Sequence, residues 1–227
     1  MTARSRLAAR ANRSLEHASA EDVLRWASDE FGDRLRLTAS MSDTVLAHVA
    51  SRVRPGIRVV FLDTGYHFAE TLGTRDAVAA SYAVDIVTAR PTLTVAEQDA
   101  LHGERLHDRN PDLCCRMRKV LPLDDALRGH DAWASGVRRE ESPTRANTPV
   151  VGYDERRDMV KIAPLARWTH DDVTAYAEEH GLVVNPLTQL GYPSIGCAPC
   201  TQPVTDGDDP RSGRWAGSAK TECGIHA

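Results

Sequence analysis

The sequence has no apolar run approaching the roughly 20 residues that span a bilayer, so a membrane-spanning helix is excluded. It also has no apolar signal-peptide core, and the expected compartment is therefore cytoplasmic. A basic surplus is missing: 28 Lys and Arg stand against 32 Asp and Glu, a net charge of −4. That argues against a general nucleic-acid coat. Internal repeats and low-complexity stretches are absent. So is an even number of cysteines, and five in a cytosolic chain make a poor disulfide framework. What the chain does have is 227 residues, 41% of them hydrophobic. That suffices for one good-sized domain with a real core and excludes wholesale disorder.

Arg4, Arg6, Arg10 and Arg13 precede any acidic residue. They read as a frayed basic helix more readily than as a transit peptide. Ser19-Ala20-Glu21-Asp22 predicts a helix start, with Val23, Leu24, Ala27 and Phe31 on one face and Gly32 at its end. Leu35 and Leu37 predict a short strand running into the turn Ser40–Asp43, with a helix from Val45. Residues 57–62 form a β-branched apolar run, a buried strand that stops at Asp63-Thr64-Gly65. A helix over about 67–82 and a strand over 84–87 follow. Further strands are expected over 132–137 and, more weakly, 159–162. A last helix starts at the cap Thr169–Asp172 and closes at Gly181. Alternating strands and helices predict an α/β fold, a doubly wound, mostly parallel sheet, whose ligands sit beyond the carboxyl ends of the strands. Residues 1–185 form this α/β unit. Residues 186–227 form an irregular C-terminal segment that nonetheless carries three of the five cysteines.

The cysteines divide into a vicinal pair, Cys114 and Cys115, a C-x-x-C, Cys197 and Cys200, and the solitary Cys223. Adjacent side chains on a helix diverge by about 100°, so a vicinal pair does not easily share one tetrahedral ion. It can ligate two corners of a 4Fe–4S cubane, which takes four thiolates. A four-thiolate zinc site, usually built from C-x-x-C twice, and four structural thiols without metal remain the alternatives.

Cys223 stands near the chain end beside Lys220, His226 and Gly224, with Arg211 and Arg214 upstream. Cationic neighbours of this kind make a cysteine nucleophilic. Other cations cluster at Arg116, Arg118 and Lys119 and at Arg138, Arg139 and Arg145. In a chain of net charge −4 this points to a compact anionic ligand. Trp215 adds an aromatic plane for a base or for packing. The turn Ser40–Asp43 has neither the glycines nor the lysine of a phosphate-gripping loop. Nucleotide binding is compatible with that turn, but pyrophosphate cleavage of ATP is not expected.

The segments FLDTGYHFAET (61–71), CCRMRK (114–119), WASGVRREESPTR (133–145), GYPSIGCAPCT (191–201), RSGRW (211–215) and KTECGIH (220–226) carry a resemblance. In this order they resemble the assimilatory, iron–sulfur adenylyl-sulfate reductases of the phosphoadenylyl-sulfate reductase family. The resemblance implies an adenine-nucleotide alpha-hydrolase-like fold, with residues 1–185 as the nucleotide-binding part. It implies reduction of adenylyl sulfate to sulfite and AMP, with thioredoxin or glutaredoxin as donor, in sulfate assimilation. Cys223 then matches the nucleophile, and Cys114, Cys115, Cys197 and Cys200 match the ligands of a 4Fe–4S cluster. Arg118, Lys119, Arg211, Arg214 and His226 match substrate contacts, and Arg138 and Arg139 match the arginines near the phosphosulfate. Ser40, Asp43, Leu62, Asp63 and Thr64 match the adenosine site. No thioredoxin-like domain follows Ala227, so an external donor is expected, and a homo-oligomer is expected too. The sequence departs from the family pattern at the glycine-free turn, at Asn110-Pro111-Asp112-Leu113, which lacks a His, and at Glu140-Glu141. The rival readings are a reductase preferring the 3′-phosphorylated substrate, a cluster-bearing RNA thiolation enzyme and a zinc-bound module without catalysis.

Overall fold

The computed structural model describes residues 1–205, 207–218 and 220–226. Its chain opens with α1 (Ala3–Leu15) and α2 (Ala20–Phe31), then β1 (Leu35–Thr38), α3 (Val45–Val53), β2 (Ile57–Leu62), α4 (Ala69–Ser81) and β3 (Val84–Ala89). It continues through α5 (Val95–His102), α6 (Leu106–Arg109), α7 (Pro111–Cys115) and α8 (Leu121–Leu127) to β4 (Ala132–Ser135), β5 (Val151–Asp154), β6 (Met159–Ile162) and α9 (His170–Glu179). The strands form one six-stranded sheet in the order β3-β2-β1-β4-β6-β5. All neighbours are parallel except β5, which runs antiparallel to β6 at the edge. The connections from β1 to β2 and β3 run one way across the sheet, and those to β4 and β6 run the other. The order therefore reverses beside β1 and opens a crevice at the carboxyl ends of β1 and β4, as in other doubly wound sheets.

The local signals act as expected. Ser19 caps α2 by accepting the Asp22 N–H at 3.1 Å, and Gly32 ends that helix at φ 52°. Thr169 caps α9, and Asp172 returns a bond to the Thr169 N–H at 2.8 Å. The helix ends at Glu179 with His180 as its C-cap, one residue before the expected Gly181. Strand β4 ends at Ser135, two residues earlier than expected, and Gly136 and Val137 already line the crevice. The core packs Leu24, Leu35, Leu37, Ile162 and Leu165 between the sheet and the helices on one face, while Trp133, Leu123 and Leu127 fill the other.

Two features differ from expectation. The basic N-terminal helix is docked, not frayed. Ala8 and Ala11 are small enough to bury against the sheet, the side-chain Oδ1 of Asn12 accepts the Val151 N–H at 2.9 Å, and Arg4 reaches Asp131 and Asp158. The helix thereby covers the edge of β5, a strand that the sequence hides behind Pro149 and Gly152. Second, residues Arg116–Val120 between α7 and α8 form a π turn. There the Leu121 N–H bonds the Arg116 carbonyl, five residues back, and Pro122, with no N–H, follows.

Leu24 is fully buried on α2 and far from the crevice. Leu24→Ala is expected to lower stability by about 2–5 kcal/mol. Thermal unfolding checks this, since each kcal/mol moves Tm by about 2–4 °C in a chain of this size.

Candidate active site

A cavity of about 470 Å³ occupies the crevice. Its floor is the carboxyl end of the sheet: Thr38 at the end of β1 and Ser40 beyond it, Leu62 at the end of β2 and Thr64 beyond it, and Ser135 at the end of β4 and Gly136 beyond it. Its far wall is the C-terminal segment, which contributes Arg211, Arg214, Trp215, Glu222, Cys223 and His226. Among the described residues that segment has no α-helix and no strand of the sheet. It is held by single contacts: the Ala198 N–H to the Tyr66 carbonyl at 2.7 Å, a bridge between Thr201 and Arg214, and the Trp215 N–H to the Cys200 carbonyl at 3.0 Å. Two glycines permit the close approach. A Cβ on Gly213 would lie 2.2 Å from the Gln202 carbonyl oxygen, and one on Gly196 would lie 2.3 Å from the Arg214 guanidinium.

Of the residues singled out from the sequence, Ser40, Asp43, Leu62, Thr64, Lys119, Arg138, Arg211, Arg214, Cys223 and His226 all line this cavity. Arg214 is oriented by Ser194 Oγ at 3.2 Å and the Ile195 carbonyl at 3.3 Å, and it lies 4.7 Å over the Trp215 ring. Its buried Nε has no partner. Arg138 stands between Asp43, at 3.6 Å, and Glu141, at 3.9 Å, and its Nε is also unpartnered. Burial pushes the Asp43 carboxyl above its usual range, and Arg138 opposes that shift.

Three expected residues stand elsewhere. Arg118 is drawn under the surface by the π turn, where its Nε donates to Gln98 at 2.8 Å and its Nη1 to the Leu93 carbonyl at 3.0 Å. Arg139 is used structurally, bonding Thr148 O and pairing with Glu16, both at 2.8 Å. Asp63 accepts the Gly65 N–H and pairs with Arg90 at 3.2 Å. His226 lines the cavity, but not as a cation. Burial, then Lys161, Arg145 and Arg157, hold its imidazole well below the usual range. Its ring stacks on Trp133 with centroids 5.6 Å apart and planes 9° apart.

Four cysteines meet in a second, smaller cavity behind the first. Cys114 and Cys115 from the end of α7 face Cys197 and Cys200, with Arg118, Lys119, His107 and Trp215 around them. Burial, then the neighbouring Cys115, Cys197 and Cys200, push the Cys114 thiol up to about 12, and burial with Cys197 pushes Cys200 up to about 11. Thr64 Oγ1 lies 3.3 Å from Cys197 Sγ. Among the described residues no three His, Cys, Asp or Glu side chains are close enough to share one metal ion. Lys119 borders both cavities. Burial pulls its ammonium down, but Cys197, Cys223 and Cys115 more than offset that and leave it raised.

Sequence reasoning left out Glu222, Arg157 and Lys161 as residues that seat the tail, and it read Arg145 as a site for an anionic ligand, where the structure pairs it with Glu222. Glu222 receives a two-pronged pair from Arg145, at 2.8 and 2.7 Å, and its own bonds extend to Thr144 and Arg211. Arg157 bonds the Ile225 carbonyl at 3.3 Å and Lys161 the His226 carbonyl at 3.0 Å. The adjacency of an acid to Cys223 was the available signal.

The six-stranded, mostly parallel sheet with its crevice at the strand switch point has an adenine-nucleotide alpha-hydrolase-like fold. The same fold occurs at 11% identity in the FMN adenylyltransferase of Candida glabrata, with a TM-score of 0.56 over 88% of this chain and 74% of the other. It also occurs, at 11% identity and a TM-score of 0.52 over 82% and 78% of the two chains, in the NH3-dependent NAD synthetase of Campylobacter jejuni. A phosphoadenylyl-sulfate reductase from Candida auris, solved as a phosphate complex, is closer. It gives a TM-score of 0.75 at 29% identity, covering 89% of this chain and 99% of the other. Residues 35–203 match the family model described as the phosphoadenosine phosphosulfate reductase domain, and the chain belongs to that family. Relatives named adenosine 5′-phosphosulfate reductase are 61% identical in Streptomyces coelicolor and 55% identical in Mycolicibacterium smegmatis, each over 97% of this chain and 93% of the relative. No helix among the described residues is long and apolar enough to cross a membrane.

The tail contacts carry a pH dependence. His226 binds its proton less readily docked than free, so its contribution to docking is full above the free value of about 6.5 and is lost as pH falls through the window below it. Glu222 is also lowered: burial raises it, but the Arg145 bond prevails, so its contribution persists to below about 4.3. Amide exchange protection of residues 220–226, referenced to the unfolded peptide, is therefore expected to fall between pH 7 and 5, and His226→Phe is expected to flatten that fall. Constant wild-type protection over this range would contradict the assignment.

Proposed function

We propose that this protein reduces adenylyl sulfate to sulfite and AMP, with Cys223 as the nucleophile, in sulfate assimilation. The single observation that carries the reading is the position of Cys223. The thiol-bearing residue stands on the wall of a nucleotide-sized cavity, with Lys119, Arg138, Arg211 and Arg214 lining the same space. The names of the S. coelicolor and M. smegmatis relatives support the same substrate.

The sulfonyl sulfur of a phosphate–sulfate anhydride is electrophilic but wrapped in anionic oxygens, which repel a thiolate until they are neutralised. The buried, unpartnered N–H groups on Arg138 and Arg214 are donors held ready for such oxygens. Charge-assisted bonds contribute about 1.5–3 kcal/mol each, so two or three of them reshape the barrier. The Cys223 thiolate attacks the sulfonyl sulfur. The sulfur–oxygen bond to the phosphate breaks, AMP leaves with the electron pair, and Cys223 keeps the sulfonate. A thiolate of thioredoxin, or of glutaredoxin, then attacks Cys223 Sγ, and sulfite leaves with the bonding pair. The donor's second thiol resolves the mixed disulfide, so the dithiol loses the two electrons that the substrate sulfur gains.

The four-cysteine cavity fits a 4Fe–4S cluster held by Cys114, Cys115, Cys197 and Cys200. Its lining brings four thiols to one place, and four thiolates are the donor set of a cubane. When bound, such a cluster supplies a fixed local charge, and the electrons of the reaction come from thiols. Lys119, bordering both cavities, offsets negative charge on either side. Ser40, Asp43, Leu62 and Thr64 hold the adenosine side.

Two variants test this reading. Cys223→Ser is expected to abolish AMP release while leaving iron content intact, and wild-type turnover would overturn the nucleophile assignment. Lys119→Ala is expected to lower kcat by about 10²–10³-fold with iron retained. A rate within twofold of wild type would remove Lys119 from the mechanism.

A further inference from the structure

The turn between β1 and α3 contains a residue in a conformation that side chains rarely adopt. Met41 has φ 60°, the left-handed region in which the Cβ crowds the backbone. The turn has no glycine to take that position. Two contacts hold Met41 there. Its side chain is fully buried, packed with Ala47, Phe61 and Val78. Its carbonyl accepts a hydrogen bond at 2.8 Å from the Nδ2 of Asn185, a side chain with no solvent exposure. The same amide also donates to Thr71 Oγ1 at 3.3 Å, while Asn185 Oδ1 accepts the Leu187 N–H at 3.1 Å. A second brace lies nearby, where Thr44 Oγ1 donates to the Val183 carbonyl at 2.7 Å. The residues on either side of Met41, Ser40, Ser42 and Asp43, line the cavity, while Met41 itself does not.

We propose that Asn185 is a positioning residue for the nucleotide: its amide clamps the Met41 carbonyl, fixes the strained turn, and so presents Ser40, Ser42 and Asp43 to the adenosine side of the cavity. In a glycine-containing turn the left-handed residue needs no such clamp. Here a buried amide supplies what glycine would otherwise supply. Asn185 is also the residue at which the α/β unit passes into the C-terminal segment, so one side chain ties the segment carrying Cys223 to the turn facing the nucleotide. The inference rests on the reading of this cavity as the adenylyl-sulfate site.

The test uses Asn185→Asp, which keeps the acceptor toward Leu187 but turns an oxygen on the Met41 carbonyl, in wild-type and Met41→Gly backgrounds of the full chain. Asn185→Ala in both backgrounds serves if the Asp variant does not fold. The expected result is a rise of at least fivefold in KM for adenylyl sulfate and in Kd for AMP by calorimetry, with kcat at saturation within threefold. In the Met41→Gly background, where the turn takes the left-handed conformation unaided, the same change should cost less than twofold. A variant that melts earlier but binds AMP within twofold of wild type overturns the proposal, because Asn185 is then structural only. An effect of equal size in both backgrounds overturns it as well, because Asn185 does not then act through Met41. Wild-type protein that binds no AMP would remove the nucleotide reading itself, and this inference with it.

Discussion

The pair between Arg145 and Glu222 is the contact on which the site depends. Cys223 belongs to a segment with no α-helix or sheet of its own among the described residues, so no ladder of backbone bonds fixes its thiol. A two-pronged ion pair one residue before it does so instead, at 2.8 and 2.7 Å, half-buried where salt screens it least. Arg145 also holds Glu141, at 2.6 Å, and Glu141 accepts the Arg138 N–H. One guanidinium thus ties the tail to the loop that presents Arg138. Beyond Cys223, Arg157, Lys161 and Trp133 hold the last described residues. Every one of these contacts uses a side chain or a carbonyl, so the tail is seated by bonds that can be released singly.

Charge is arranged to be incomplete until a polyanion arrives. Arg138 lies between Asp43 and Glu141, but at distances longer than good hydrogen bonds. Arg214 is buried beside Arg211, and burial with that repulsion pulls it below its usual value. Cations left partly unpaired out of water are costly, and an anionic ligand removes the cost. Lys119 is balanced from the other side, by the thiols of the cysteine cavity and by Cys223. Among the described residues Lys119 and Trp215 line both cavities, and Lys119 is the charged one of the two.

The parts of this arrangement that were legible in the sequence are those encoded locally. The β-branched run of β2, the caps at Ser19 and Thr169, and the turn at Asp63-Thr64-Gly65 each specify their own structure within a few residues. The grouping of four cysteines apart from Cys223 was legible because a vicinal pair and a C-x-x-C stand out in the sequence, and the structure brings those four to one cavity. The parts that were not legible depend on distance or on phase. Glu222 and Arg145 lie 77 residues apart, and nothing in either neighbourhood names the other. The π turn shifts the phase of the helix after Cys115, so Arg118 is drawn to Gln98 while Lys119 reaches the cavity, although both stand in one basic run. Strand β5 carries a glycine and follows a proline, and it becomes a strand through α1 lying along its edge, a tertiary effect that overrides local propensity.

The central claim is that the cysteine near the chain end takes the sulfonate from the nucleotide. Intact-mass analysis of iron-loaded, anaerobically prepared protein mixed with adenylyl sulfate alone, followed by peptide mapping, measures this most directly. The expected result is the gain of one SO3 group per chain, located on Cys223 and removed by a reduced dithiol donor with release of sulfite. Protein that releases AMP without acquiring that mass, or that carries it on another residue, would contradict the account.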